Sequence, residues 1–245
     1  MNSMSASGQA PLADRSPPDP EDLYGGPTAI LDCHHPAVQA FARKAIPLCR
    51  TDPVARAVSL FYAVRDQIRY DPYMPFYRPE HYRASTTLAT GRGFCVGKAA
   101  LLCALGRAVD IPSRLGFADL RNHLVPKPLR ETLGSDLFVY HGYTEFWLEG
   151  RWVKATPAFN AELFWRQGVA PLDFDGCHDA VLPARTDDGE PFIEYRHDHG
   201  SRSDVPVGEI VAAWRRTYGH ERVDRWIAAF EAGGGMREAS LHHPL

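Results

Sequence analysis

Apolar residues recur at helical spacing in four segments of the chain. Two precede residue 70: the first runs from Asp32 to Ile46, and the second follows Thr51, which we expect to be its N-cap. The other two lie near the C-terminus and read VGEIVAAWRRTYG and ERVDRWIAAFEAGG. Each pattern buries one face of a helix and leaves the opposite face in water. We therefore predict two amphipathic helices in the N-terminal part of the chain and two at its end.

The centre of the chain contains an apolar segment of a different kind. Residues 95–109, CVGKAALLCALGRAV, are apolar almost all round, and only Lys98 and Arg107 interrupt them. This pattern is typical of a helix that is enclosed within a fold rather than lying on its surface. The Asp-Ile-Pro sequence that follows is expected to end the helix.

Strand-like patterns follow this helix. The run SRLGFADL comes first, and DLFVYHGYTEFWL and RWVKAT come next. Only Glu149 and Gly150 separate the last two runs, which predicts a two-residue β-hairpin. Residues 71–94, residues 121–136 and the stretch after Phe159 are predicted to be loops. Helices and a small antiparallel sheet in separate parts of the chain indicate the α+β class.

Composition divides the chain into three parts. Residues 1–27 are polar and rich in Pro, Ser and Gly, and they lack the apolar stretch of a secretory signal. We interpret them as a disordered leader, residues 28–205 as the main domain, and residues 206–245 as a C-terminal helical extension.

The composition also argues against several functions. Of the 245 residues, 44% are hydrophobic and 23% are charged, as in soluble globular proteins, and no segment is apolar enough to span a bilayer. The net charge of −3 provides no electrostatic footprint for nucleic acid or for an anionic membrane. The five cysteines are odd in number and irregularly spaced. We therefore expect free thiols in a reducing, cytoplasmic compartment.

Cys95 is the first candidate for chemistry. It stands where a glycine-containing turn, Gly91 to Gly93, meets the predicted buried helix. Free N–H groups and the positive end of the helix dipole stabilise a thiolate there and can hold an oxyanion. The alternative is a small buried hydrophobic residue, which is the interpretation that we give to Cys103.

A nucleophilic cysteine needs a base, and His141 has the best context among the eleven histidines. It lies within a strand-like run whose neighbours, among them Val139 and Tyr143, must pack. A polar residue in such a run either has a partner or loses solvation energy. The alternative is a core histidine with satisfied hydrogen bonds, or one on a solvated face of the sheet.

The run GRGFCVGKAALLCALGRAVDIPSRLGFADL, followed by HGYTEFWLEGRWVKATPAFN, resembles the transglutaminase-like superfamily. The resemblance extends from about Ala55 to Asn160 and is closest in type to a bacterial branch. It implies a core shared with papain-like cysteine proteases, in which a buried helix carrying the nucleophile packs on a small antiparallel sheet, with helices at both ends. It also implies that Cys95 is the nucleophile and His141 the base of a hydrolase or acyltransferase. The expected substrate is a peptide, a protein or a small amide or acyl compound.

One member of the family's usual catalytic set is missing. Thr156 stands where the family has an aspartate that orients the histidine. The predicted hairpin register pairs Tyr143 with Thr156, which places Thr156 diagonally across from His141, about 7–8 Å away at Cα. A threonine hydroxyl can accept a hydrogen bond but supplies no negative charge. Asn160 is an alternative orienting residue, and Asp173 or Asp175 could fold back. A fold that has lost catalysis and serves for binding is the remaining possibility.

Metal ions and cofactors have no motif in this sequence. Cys177-His178, His197 with His199, and His34-His35 lack the paired spacing of metal sites, and no calcium loop is recognisable. We predict neither a metal nor a cofactor.

Overall fold

The computed structural model describes residues 19–241. The helices are α1 (Pro20–Tyr24), α2 (Pro36–Ala45), α3 (Pro53–Gln67), α4 (Ala84–Thr90), α5 (Cys95–Arg107), α6 (Lys127–Leu133), α7 (Ala161–Arg166), α8 (Val207–Tyr218), α9 (His220–Glu231) and α10 (Met236–Leu241), with a 3-10 turn at Pro79–His81. The strands are β1 (Arg69–Tyr70), β2 (Arg92–Gly93), β3 (Ser113–Asn122), β4 (Leu137–Leu148), β5 (Arg151–Ala155) and β6 (Ile193–Arg202). Within the described ranges, no helix is both long and apolar enough to cross a membrane.

A four-stranded sheet, in the order β5-β4-β3-β6, forms one layer of the fold. All neighbouring strands in it are antiparallel. The predicted hairpin is confirmed: Leu148 pairs with Arg151, and the turn residues Glu149 and Gly150 have φ values of 49° and 79°. Two positive φ values are the signature of the turn type that matches the twist of the flanking strands. The α+β class predicted from the pattern is confirmed as well.

The central helix packs directly against strand β4. Every residue of α5 after Cys95 is buried, as the all-round apolar pattern predicted. A Cβ atom added at Gly142 would lie 3.0 Å from Val96 Cα, so the absence of a side chain there allows the helix and the strand to approach closely. One turn further along, Thr144 Oγ1 donates a hydrogen bond to Ala99 O at 2.9 Å. The first turn of α5 is therefore fixed against the middle of β4.

Three predicted loops contain regular structure that the pattern did not reveal. Residues 71–94 include α4, residues 121–136 include α6, and the stretch after Phe159 includes β6. Helices α4 and α6 have only seven residues each, too few to be stable without tertiary packing. Strand β6 lies at the edge of the sheet and carries mostly exposed polar residues, so it shows no apolar alternation. The N-cap of α3 is Asp52, whose carboxylate accepts the Ala55 N–H at 2.7 Å, and not Thr51.

Residues of the predicted leader and of the predicted C-terminal extension pack on the core. Residues 1–18 of the predicted leader lie outside the described residues, but Pro20–Tyr24 is helical and the Tyr24 ring packs edge-on against Trp152 at 5.2 Å. Trp214 of α8 stacks on Phe76 at 4.2 Å within the main hydrophobic core. The proposed domain boundaries stay predictions.

Helix α5 carries a buried cation. Lys98 has no solvent exposure, and its Nζ donates to Arg65 O at 3.0 Å. Burial lowers the pKa of Lys98 to about 7, and the attraction of Asp66 opposes that shift. Because the unfolded side chain titrates near 10.5, the folded state bears the full cost of a buried charge below pH 7. Above pH 7 the folded protein has lost this proton while the unfolded chain still holds it, and the cost falls as the pH rises toward 10.5.

Lys98→Met is therefore expected to stabilise the protein more at pH 6 than at pH 9, by a difference of about 2–3 kcal/mol. The methionine fills the same space without charge, while the lost hydrogen bond costs about 1 kcal/mol at both pH values. Urea unfolding of variant and wild type at the two pH values measures the difference. Lys44→Met, on the exposed side of α2, is the control. The same stability change at both pH values would contradict the assignment of a lowered pKa to Lys98.

Candidate active site

Cys95 is the first residue of helix α5. The first hydrogen bond of this helix runs from Lys98 N–H to Phe94 O at 3.0 Å. The N–H groups of Cys95, Val96 and Gly97 come before it and have no acceptor within the helix. Residues 91–93 connect α4 to α5. Gly91 ends α4 with φ 64°, and strand β2 follows immediately. The thiol thus lies at the positive end of a helix that is buried along its whole length.

His141 lies on β4, next to Gly142, at the place where that strand contacts α5. It is 4% exposed, and it lines the same cavity as Cys95. Hydrogen bonding from the Gly142 N–H favours the Cys95 thiolate, so β4 contributes a backbone donor to the thiol as well as the histidine. The fold thus brings together two residues that are 46 positions apart in the sequence (141 − 95).

The cavity that joins Cys95 and His141 is small and mostly apolar. Its volume of about 30 Å³ is enough for about one or two water molecules. Leu129 and Leu133 of α6 and Trp214 and Tyr218 of α8 line it. The remaining lining residues are Tyr70, Pro72, Phe94, Phe138, Val139 and Tyr140. Cys95 itself is partly exposed. An acyl substrate is larger than this cavity, so seating it there requires some of these side chains to move.

The electrostatic state of the pair differs from the expectation of a stabilised thiolate. Burial raises the pKa of the Cys95 thiol to about 11, although the N–H groups of Gly142, Val96 and Cys95 itself act in the opposite direction. Burial lowers the pKa of His141 to about 4. At neutral pH this conformation therefore holds a neutral thiol and a neutral imidazole. The loss of solvation at this site outweighs the effect of the helix N-terminus on the thiol.

Alkylation of the native protein at pH 7.5 is accordingly expected to be slower at Cys95 than at the exposed Cys49. The neutral thiol is a poor nucleophile, and Cys95 is less exposed than Cys49. A time course with iodoacetamide, followed by peptide mass mapping from pH 7 to pH 10, measures both rates. Faster reaction at Cys95 than at Cys49 below pH 8 would mean that an open thiolate form predominates in solution.

Thr156 lies one residue beyond strand β5. The pairing of Thr144 with Ala155 continues the register that was predicted to place Thr156 opposite Tyr143. Thr156 Oγ1 and His141 Nε2 are both buried, and neither has a hydrogen-bond partner within the described part of the chain. The hydroxyl is therefore near the expected place but does not hold the imidazole. Its role as the orienting residue stays a prediction.

Asn160 and the two aspartates hold other groups in the structure. The Asn160 side-chain amide donates to Arg65 O and Ile68 O and accepts from the Tyr70 N–H at 2.8 Å. Its amide joins the end of α3 to β1, and no bond from it to His141 is found among residues 19–241. The predicted alternative role of Asn160 is thus not seen, because these three contacts already use its side chain.

Asp173 and Asp175 do not fold back toward the histidine either. Asp173 accepts a hydrogen bond from Tyr62 Oη at 3.2 Å, and Asp175 accepts from the backbone N–H groups of Cys177 and His178. The pKa of His141 responds only to burial, which is consistent with the absence of a nearby carboxylate among the described side chains.

Tyr140 is a residue of the site that the sequence did not reveal. It has φ 56°, a left-handed conformation that is rare for a bulky side chain, immediately before His141. Its N–H donates to Asp119 Oδ1 at 2.9 Å, and its ring stacks on His199 at 4.0 Å. These contacts hold a strained backbone conformation immediately before His141. An aromatic residue in a strand-like run gives no sequence signal for such a conformation.

Three of the five histidines that were considered as metal ligands have hydrogen-bonding roles. His35 Nδ1 caps α2 by accepting the Ala37 N–H, and His199 Nε2 lies 2.7 Å from Asp119 Oδ1. His178 Nδ1 lies 2.7 Å from Asp175 Oδ2. Across residues 19–241 there is no group of three or more His, Cys, Asp or Glu residues that could hold a metal ion.

Comparison with known proteins relates this geometry to one family. The family model of the transglutaminase-like superfamily matches residues 29–157, which is just over half of the chain. A crystal structure of a candidate cysteine protease from Cytophaga hutchinsonii is 15% identical, with a TM-score of 0.47. The alignment covers 82% of this chain and 52% of that one, so the chain spans about half the length of that protein. No curated protein matches the sequence.

Proposed function

We propose, from the premise that this chain belongs to the transglutaminase-like superfamily, that it catalyses thiol-dependent acyl transfer or amide hydrolysis through a thioester at Cys95. One observation carries the proposal: Cys95 at the N-terminus of a buried helix shares a small cavity with His141 of the adjoining strand. A nucleophile and a base in one site are the minimum for covalent acyl chemistry.

The proposed reaction uses the neutral pair. As the Cys95 sulfur bonds to the carbonyl carbon of the acyl donor, His141 takes the thiol proton, and the carbonyl oxygen becomes an oxyanion. The N–H groups at the start of α5, including that of Cys95, hold this oxyanion. When the intermediate collapses, the bond from carbon to the leaving amine breaks, and His141 gives its proton to that amine. Water or a second amine then attacks the thioester, His141 removes its proton, and the departing Cys95 sulfur is protonated again.

The pair must open before it reacts. A thiol with a pKa of about 11 does not transfer its proton readily to an imidazole with a pKa of about 4. Substrate that displaces the apolar side chains of α6 and α8 would bring polar groups into the cavity and narrow this gap. Closure would then protect the thioester from water between the two half-reactions.

A second function, a binding module without catalysis, is favoured by a specific observation. His141 Nε2 has no partner in the described residues, and no carboxylate stands beside it to stabilise an imidazolium. Such a site would retain the fold and the cavity for a ligand after losing the chemistry.

The two functions differ in a covalent adduct. Incubation with p-nitrophenyl acyl esters is expected to produce a Cys95 thioester that is visible by intact mass and is removed by hydroxylamine. Cys95→Ala should abolish the adduct, and Cys49→Ala, at an exposed thiol, should leave it unchanged. The binding module predicts no adduct at Cys95 with any ester.

The compartment and the partners belong to the same proposal. All five cysteines are free thiols, which supports a reducing, cytoplasmic location. The net charge of −3 supports a peptide, protein or small amide substrate rather than nucleic acid or a membrane surface.

A further inference from the structure

We infer that the acyl donor is an acidic peptide, which places a large apolar side chain in a groove beside Cys95 and a carboxylate against an arginine-rich rim. This inference rests on the proposed function, since it names the substrate of the same site. Three features support it: a groove that shares its walls with the Cys95 cavity, the size and apolar lining of that groove, and the excess of cations next to it.

The groove adjoins the Cys95 cavity. We call it the side groove; it has a volume of about 270 Å³. Tyr70, Pro72, Leu129 and Phe138 line both spaces, so each forms a wall between the side groove and the thiol. A group bound in the side groove therefore lies next to the cavity that contains the thiol.

The lining of the side groove fits one large apolar side chain. Its volume lies just below the range of about 300–1,000 Å³ that is typical of whole-ligand pockets. Phe159 and Leu163 line it together with Pro126 and Pro128. Polar groups lie among these residues as well, namely Asn122, Gln167 and Arg237, of which Asn122 also accepts the Leu124 N–H. An aromatic or branched aliphatic side chain matches this space better than a polar one.

Cations predominate on the other side of the Tyr70–Tyr73 segment. A wider pocket of about 820 Å³ there is lined by Arg69, Arg92 and Arg237, and by Asp71 as the one carboxylate among its lining residues. Asp71 is shared between Arg92 at 3.4 Å and Arg69 at 4.0 Å. One carboxylate for three guanidinium groups leaves this rim with a positive charge.

Arg237 connects the two spaces. It lines both the side groove and the wider pocket, and its guanidinium lies 4.0 Å over the Tyr73 ring. No carboxylate is paired with it among the side chains that the structure describes. A guanidinium that is held by an aromatic face keeps its N–H donors free for a carboxylate. It would bind the acidic residue next to the apolar one.

The test uses four matched acyl donors, the p-nitrophenyl esters of acetyl-Glu-Phe, acetyl-Lys-Phe, acetyl-Glu-Gly and acetyl-Lys-Gly. Acylation of Cys95 is expected to be about 10-fold faster, in kcat/KM, with Glu-Phe than with Lys-Phe, and faster with Phe than with Gly. The preference for Glu should shrink in 0.5 M NaCl, because salt screens exposed charges, whereas the preference for Phe should remain.

Two variants separate the contributions of the rim and the groove. Arg237→Gln should reduce the preference for Glu to about 2–3-fold and leave the preference for Phe intact. Leu163→Trp, which fills the side groove, should reduce the preference for Phe and leave the preference for Glu intact. Arg43→Gln, at an exposed arginine of α2, is the matched control and should change neither.

Three results would overturn the inference. They are equal rates for Glu and Lys donors, a preference for Lys, or a faster reaction with an octanoyl ester that has the same leaving group, which would indicate a lipid-like acyl chain. If no ester acylates Cys95, the proposed function fails instead, and binding of the unreactive amide acetyl-Glu-Phe-NH₂ decides the rest. If acetyl-Glu-Phe-NH₂ binds more tightly than acetyl-Lys-Phe-NH₂, and Arg237→Gln reverses or abolishes this difference, the specificity holds for a binding module. Equal binding of the two amides would contradict it.

Discussion

His141→Gln is expected to lower the rate at which Cys95 is acylated by about 10²–10⁴-fold, which is the usual contribution of a general base. The glutamine has a similar reach but cannot accept the thiol proton. The substitution breaks no hydrogen bond of His141 Nε2, which has no partner in the described residues, and burying the glutamine amide is expected to cost about 1–3 kcal/mol. A loss of rate without loss of structure would therefore report on the proton transfer.

The pH dependence of the same reaction provides a second readout. Burial lowers the pKa of His141 to about 4, so the imidazole is neutral and able to accept a proton from about pH 5 upward. The wild-type rate should therefore fall only as the pH drops toward 4, and this acidic limb should be absent in the variant. The burst of p-nitrophenolate, measured by stopped flow between pH 4 and pH 8, tests both points.

His178→Gln provides the control for this substitution. His178 is an exposed histidine that pairs with Asp175 at 2.7 Å, and it does not line the Cys95 cavity. The His178→Gln variant should be acylated at Cys95 at the wild-type rate over the whole pH range. If His141→Gln matches that rate, His141 is not the base, and the pairing with Cys95 has no catalytic meaning.

Thr156→Asp is expected to accelerate acylation by about 10-fold or more. The carboxylate is longer than the hydroxyl and carries the negative charge that the site lacks. A charge near His141 favours the imidazolium and should raise the pKa of His141 from its low value of about 4. The free-energy cost of moving the proton from the Cys95 thiol to His141 falls as the pKa of His141 rises. NMR titration of labelled histidine, together with the burst rate, measures the two effects.

The comparison with neutral residues isolates the charge. Thr156→Asn has nearly the shape of the aspartate without its charge, and it should not raise the pKa of His141. Thr156→Val should leave the rate within about 2-fold of wild type, because the Thr156 hydroxyl has no partner in the described part of the structure. Equal rates for the Asp and Asn variants would mean that a missing carboxylate does not limit this site.

The gain in rate should come with a loss of stability. Thr156 is 1% exposed, and a charge at a site of this kind is costly unless it is paired. Thermal unfolding of the aspartate variant is therefore expected at a lower temperature than that of wild type. A threonine at this position is consistent with a trade of catalytic rate for stability.

The amphipathic helices and the hairpin could be predicted from the sequence, because their local patterns agree with their final environment. Helix α3 repeats its apolar residues at helical spacing, and Glu149-Gly150 suits a tight turn with two positive φ values. The short helices and the edge strand β6 could not be predicted. Their residues take regular structure only because neighbouring elements pack or pair with them.

The sequence by itself determined the nucleophile and base as candidates, the helix that carries Cys95 and the register that brings Thr156 near His141. These follow from local periodicity and turn chemistry, which act between residues that are close in the chain. The tertiary structure alone decided the protonation state of the pair, the small apolar cavity that the pair shares and the engagement of Asn160 elsewhere. Solvation and hydrogen bonding depend on groups such as Trp214 and Leu129, which are distant in sequence and meet the thiol only in the folded chain.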